Sequence, residues 1–244
     1  MPQAVHSLPY VAWVLLVALA FGSFAFVVLT RQLTDATRGY LGFTAFCAGL
    51  LGLLALFTDW GLTPPADLVI QAGQESGLRQ LGLAVFTVGA FIYPMGLWQG
   101  RISFALGGAG AALTLGAAAF GWAPTAVDGV PLLVQLVVLS LVTGGSLAAI
   151  VLGHWYLVTP NISDRPLVLQ ARLLLGIVGL QVLLFVVWTT LGGGPGQDAF
   201  DAFSGGNLLL VALRLLVSLL FPLVLCWMAW RTALTRSMES ATGL

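Results

Sequence analysis

Seven long apolar runs divide this chain, and its polar positions fall almost entirely between them. The runs are approximately Leu8–Thr30, Gly39–Thr58, Gln80–Gln99, Ile102–Gly121, Pro131–Val158, Leu167–Leu191 and Asn207–Arg231. A helix rises about 1.5 Å per residue, so about 20 residues cross a hydrocarbon core of about 30 Å, and every run meets that length. None alternates polar and apolar residues with period two, unlike the short segments of a transmembrane β-barrel. The pattern predicts an all-α membrane protein, a seven-transmembrane-helix bundle forming one domain over residues 1–244.

Composition agrees. Hydrophobic residues make up 59% of the 244 positions and charged residues 7%, against roughly 25% charged in a soluble domain. The first run lacks a basic leader, is longer than a signal-peptide core and is followed by Arg31, so it reads as a retained span. Cys47 and Cys226 both fall inside runs and read as small packing residues, without metal-site spacing.

Charge then orients the chain. All nine basic residues are Arg. Arg31 and Arg38 lie between runs 1 and 2, Arg101 between 3 and 4, Arg165 between 5 and 6 with Arg172 just inside run 6, and Arg231 and Arg236 after run 7. Only Arg79 flanks a run on the other side. Cytoplasmic loops carry the basic excess, which predicts the N-terminus outside and the C-terminus inside, in the cell (inner) membrane. The outer loops then hold Asp59, Asp67, Glu75, Asp128, Asp198 and Asp201. That acidic face either attracts a basic soluble protein or merely reflects the scarcity of Arg there. Basic residues are too few and too scattered for nucleic acid.

Displacing the chain by 129 residues aligns two inner loops, Leu29–Asp35 with Val158–Asp164, alike at six of seven positions. Trp98 then falls on Trp227, and Pro94 misses Pro222 by one place. Two readings stay open: parallel repeats, residues 8–101 and 131–231, joined by helix 102–121, or two loops that each carry N-cap residues, Thr34/Asp35 and Ser163/Asp164. The joining run is rich in Gly and Ala and offers no polar chemistry. Such a 3+1+3 layout resembles that of the SWEET and PQ-loop transporters. The resemblance is one of layout: here the prolines Pro94 and Pro222 fall in the third run of each half, and the one PQ dipeptide, Pro2-Gln3, precedes the first run. Seven spans with an outer N-terminus are also similar to the rhodopsin arrangement, but without any lysine no retinal Schiff base can form.

Ionisable residues inside spans are the default functional candidates. His154 stands in Gly153-His154-Trp155-Tyr156 at the inner end of run 5, with Arg172 at similar depth on run 6. Each reads either as an interfacial residue or as part of a cofactor site, where the imidazole ligates haem b or contacts a quinone and the guanidinium holds a propionate or quinone oxygen. The other histidine, His6, belongs to the opposite face, too far away for a bis-His haem within this chain. Arg214, seven residues into run 7, reads as a snorkelling residue or an anion site with Asp59, Asp128, Asp198 or Asp201 as partner. A ligand pocket is expected around Tyr93, Trp98, Gln181, Arg214 and Trp227, beside the kinks of Pro94 and Pro222. No catalytic constellation is visible. The leading expectation is a small haem- or quinone-handling subunit of a membrane redox assembly, beside other membrane subunits. The rivals are a small-solute transporter of SWEET-like layout and a non-catalytic scaffold or sensor subunit.

Overall fold

Each apolar run becomes a helix because the hydrocarbon core holds no water and lipid tails offer the backbone no hydrogen-bond partners, so its N–H and C=O groups must pair within the segment. The computed structural model describes residues 2–62, 76–96, 100–123, 125–159, 163–191 and 212–234; the side chains at 2–7, 189–191 and 214 fall outside that description. Among the described residues there are seven helices and no strand. They are α1 (Pro2–Leu33), α2 (Arg38–Trp60), α3 (Ser76–Ile92), α4 (Arg101–Trp122), α5 (Ala126–Val158), α6 (Arg165–Leu191) and α7, a π-helical segment Arg214–Leu220 that runs into the α-helix Phe221–Leu234.

Six of the seven are long and apolar enough to cross a membrane. The exception, α3, has 17 residues, a length of about 25 Å. Its run was expected to continue to Gln99. Instead the chain turns over Tyr93–Gly96, with the Gly96 N–H bonded to Tyr93 O at 3.1 Å and Gly96 at φ +69°. Pro94 therefore lies in the turn that follows α3 rather than kinking a helix, whereas Pro222 lies inside α7. The cause is local: the residue before a proline is driven out of helical geometry, and a glycine two places on accepts the left-handed turn. At α5 the error runs the other way. The helix starts at Ala126, because Thr125 caps it, accepting from the Asp128 N–H at 3.3 Å while its hydroxyl donates to the Asp128 carboxylate at 2.6 Å.

The bundle is arranged for an apolar solvent. On α2 the buried positions include Ala45, Ala48, Gly49, Gly52 and Ala55, while Phe43, Phe46, Leu50, Leu54 and Phe57 stand exposed. A soluble protein would turn that large apolar stripe inward. In a bilayer, lipid covers the large side chains and small residues let the helices meet. The chain is thus a helical integral membrane protein.

Packing centres on α1, which meets α2 and α5; α2 leads to α3, α3 to α4, and α4 returns to α5. From α5 the chain continues to α6, and α6 carries α7. Glycines set the closest approaches. A Cβ on Gly22 would lie 1.7 Å from Ser140 O, and one on Gly144 would lie 2.3 Å from the Ser23 nitrogen, so α1 and α5 cross backbone against backbone. Likewise a Cβ on Gly110 would lie 2.4 Å from the Phe86 nitrogen, and one on Gly89 2.6 Å from the Gly107 nitrogen. The small-residue run expected to be a plain linker is therefore the tight partner of α3. It also carries polar contacts: Ser103 donates to Gly89 O at 2.6 Å and Thr114 to Gly110 O at 2.8 Å.

Candidate functional site

Helix direction alternates, so polar residues collect at the two ends of the bundle. At one end, Asp59 in the last turn of α2 and Arg79 in the first turns of α3 form a buried pair, 2% and 5% exposed. The guanidinium donates from Nε to Oδ2 at 2.5 Å and from Nη2 to Oδ1 at 3.2 Å. Its other surfaces face indoles, with the Arg79 Cζ 5.7 Å from the Trp13 ring and 5.4 Å from the Trp122 ring. Trp13 and Trp122 meet edge-on at 4.9 Å, and the Trp13 N–H is buried without a partner. The sequence reading put both charges in solvent-facing loops. The structure corrects this: the pair satisfies itself with two parallel bonds, and the aromatic walls keep water off. Asp59 is thereby committed to Arg79 rather than to Arg214.

At the opposite end, α1, α2, α5 and α6 share a buried polar node. Gln170 is fully buried and donates from Nε2 to Tyr40 Oη at 2.7 Å and to Thr30 Oγ1 at 2.9 Å. Tyr40 donates on to Ala148 O at 3.3 Å. Gln170 Oε1 has no partner. The proposed caps differ here too. Thr34 bonds back to Thr30 O at 2.6 Å, and the residue at the start of α2 is Thr37, with no side-chain cap bond. Ser163 does serve α6, accepting from the Arg165 N–H at 3.4 Å, while Asp35 reaches Arg165 at 3.8 Å on the exposed surface.

His154 and Arg172 are both exposed, and no hydrogen bond joins them. The neighbours of His154 explain its position. Trp155 lies against Gly39, where a Cβ would sit 2.6 Å from the ring, and the Tyr156 hydroxyl donates to Ser163 O. These contacts leave the imidazole on the outward side of α5. Among the described residues no group of three or more His, Cys, Asp or Glu is placed to hold a metal ion.

The chain immediately before each of these two residues faces something else. Gly153 and Ala171 line a cavity of about 230 Å³ between α5, α6 and α7, whose other walls include Ile150, Leu174, Pro222 and Cys226. Further along the same three-helix interface a smaller space of about 80 Å³ is lined by Gln135, Gln181, Trp188 and Ser218. The π-helical segment shapes this wall. The Phe221 N–H, immediately before Pro222, bonds Leu216 O, five residues back. A widened turn relieves the clash that a proline ring makes with a carbonyl four residues earlier.

The remaining expected pocket residues are not brought to one place. Tyr93 lines a cavity of about 630 Å³ at the arginine-bearing ends of α1 to α4. Gln181 lines the small α5–α7 space. Trp227 is exposed on α7 at 51%. Trp98, the side chains of Arg214 and His6, and the loops holding Asp67, Glu75, Asp198 and Asp201 lie outside the described residues. Comparison of the chain with protein-family models, with curated proteins and with solved structures gave no match.

Proposed function

We propose that the chain is a membrane subunit that holds a lipid-soluble, quinone-like molecule between α5, α6 and α7. One observation carries the reading: the interface has two parts of different character. The larger space is mostly apolar, with Ser146 its one hydroxyl, and suits a prenyl chain. The smaller one presents two amides and a hydroxyl, Gln135, Gln181 and Ser218, whose donors match the carbonyl oxygens of a quinone head. A volume of about 230 Å³ is below the roughly 300–1,000 Å³ of drug-sized sites. It favours a chain or a single ring over a haem macrocycle. In this reading His154 and Arg172 stand at the rim, beside cavity residues Gly153 and Ala171. The arginine-bearing end faces the cytoplasm, the membrane is the inner membrane of the cell, and α7 offers its exposed apolar side to further subunits of a redox assembly, with a basic soluble protein at the acidic outer face. A duplication of residues 8–101 in 131–231 draws support from neighbour order: α1–α2–α3 and α5–α6–α7 each pack in sequence. The transporter alternative is weakened by the closed crossing of α1 and α5 at Gly22 and Gly144.

The test is extraction of lipid-soluble quinone from protein purified in a mild detergent, with the parent compared to Ala149→Leu and Ala171→Leu, which fill the cavity. The parent should carry quinone near stoichiometry and the filled variants at least fivefold less, with melting temperatures held. A parent that takes up no added quinone, or filled variants that retain it, defeats the reading. A Soret band in the parent would return haem to first place.

A further inference from the structure

The large cavity at the arginine-bearing end belongs to neither site above. We propose that it binds a phosphate-bearing anion, either the headgroup of an anionic phospholipid or a soluble phosphate compound, through Arg31, Arg38 and Arg101. This rests on α1 to α4 and is independent of the quinone reading.

Three arginines from three different helix ends, all exposed, line one partly open space of about 630 Å³, together with Tyr93, Pro94 and Gly100, which lies within the roughly 300–1,000 Å³ of ligand sites. Among the described residues no ion pair or side-chain hydrogen bond engages any of the three arginines. The acid nearest in sequence, Asp35, is directed to Arg165 at 3.8 Å. Like charges gathered around one space, with no counter-ion among the described residues, repel one another, and an anion turns that cost into attraction.

The backbone adds to the same field. Helices α2 and α4 begin at Arg38 and Arg101, and neither has a side-chain cap. Uncapped helix starts present free N–H groups and the positive end of the helix dipole. Gly100 is needed for this geometry. It stands at φ +79°, and a Cβ there would lie 3.1 Å from the Tyr93 ring. Tyr93 itself is stacked on Phe104 at 5.2 Å and 20°, which gives the space a fixed wall. The arginine fork matches phosphate oxygens two at a time, as a lysine does not. Basic pockets between helices at the membrane surface are where lipid phosphates are expected.

Native mass spectrometry of the full-length protein in detergent tests the proposal, with phosphatidylglycerol and phosphatidylcholine as lipid probes and inorganic phosphate, read by thermal shift, as the soluble probe. Phosphatidylglycerol should bind at least tenfold more tightly than phosphatidylcholine. The Arg38→Gln/Arg101→Gln variant, which keeps Arg31 and Arg165 to hold orientation, should cut that preference at least fivefold. Arg231→Gln, exposed on α7, should leave it unchanged. If inorganic phosphate alone stabilises the protein, with the same dependence on Arg38 and Arg101, the site is supported and its ligand is soluble. No preference with either probe, or a preference that survives the double substitution, overturns the proposal. Should the Gln variant fail to fold, Arg38→Lys/Arg101→Lys decides. It keeps the charge and loses the fork, so an undiminished preference also overturns it.

Discussion

Removing the Asp59 carboxylate should be among the most damaging single changes to this bundle. Asp59→Ala leaves the Arg79 guanidinium buried, stripped of both its bonds of 2.5 and 3.2 Å. Breaking a buried pair from one side costs about 3–5 kcal/mol. The two indole faces at 5.4 and 5.7 Å remain, and a desolvated cation–π contact is worth up to about 2 kcal/mol, so the lower end, about 3 kcal/mol, is expected. For a chain of this size each kcal/mol moves Tm by about 2–4 °C, which gives a fall of about 6–12 °C. Thermal unfolding in detergent, followed by circular dichroism, measures it. The decisive arm is the double variant Asp59→Leu/Arg79→Met. Replacing both charges with apolar groups of similar volume is often neutral or stabilising, so it should recover to within about 4 °C of the parent. A drop of less than 2 °C for Asp59→Ala, or a double variant no better than the worse single, refutes the account of the pair as a self-contained unit.

Two further outcomes follow from packing and from the polar node. Gly22→Ala drives a Cβ into Ser140 O, 1.7 Å away, whereas Gly116→Ala in α4 meets nothing within 4 Å. The first should lose about 1–3 kcal/mol or more and the second gain up to about 1 kcal/mol; equal melting temperatures would contradict the close crossing of α1 and α5. Tyr40→Phe takes one acceptor from the Gln170 amide and should cost about 1 kcal/mol or less. Gln170→Leu also removes the unpartnered Oε1 and should cost no more than Tyr40→Phe, so a loss several-fold larger in the same melts would show that the oxygen has a partner.

Seven helices were legible in the sequence because in a membrane the apolar run and the helix are nearly the same object. Their ends were less so. Tyr93 and Pro94 are apolar enough to extend a hydropathy run, yet proline geometry stopped α3 at Ile92; the Thr125 cap started α5 before Pro131. The site was legible only in part. Gln181 was singled out and does line a space between helices. Asp59 and Arg79 were read as loop charges, since hydropathy sees each residue alone and a bidentate pair hides both charges at once. The signal was an acid in the last turn of one span and a base in the first turn of the next, with Trp13 and Trp122 at the same end. The three arginines of the large cavity were visible too, but as a topological signal: counting charges per loop does not reveal that the α1–α2 and α3–α4 connections meet.

The short helix α3 has an implication for how the chain enters its membrane. Taken alone it is about 25 Å of apolar residues with a cation at its fourth position, Arg79, a weak candidate for leaving the translocon into lipid. The carboxylate that neutralises it sits on the helix made just before. Inserted as a hairpin, α2 and α3 would present lipid with a neutral pair, whereas α3 inserted alone would present it with an unpaired cation.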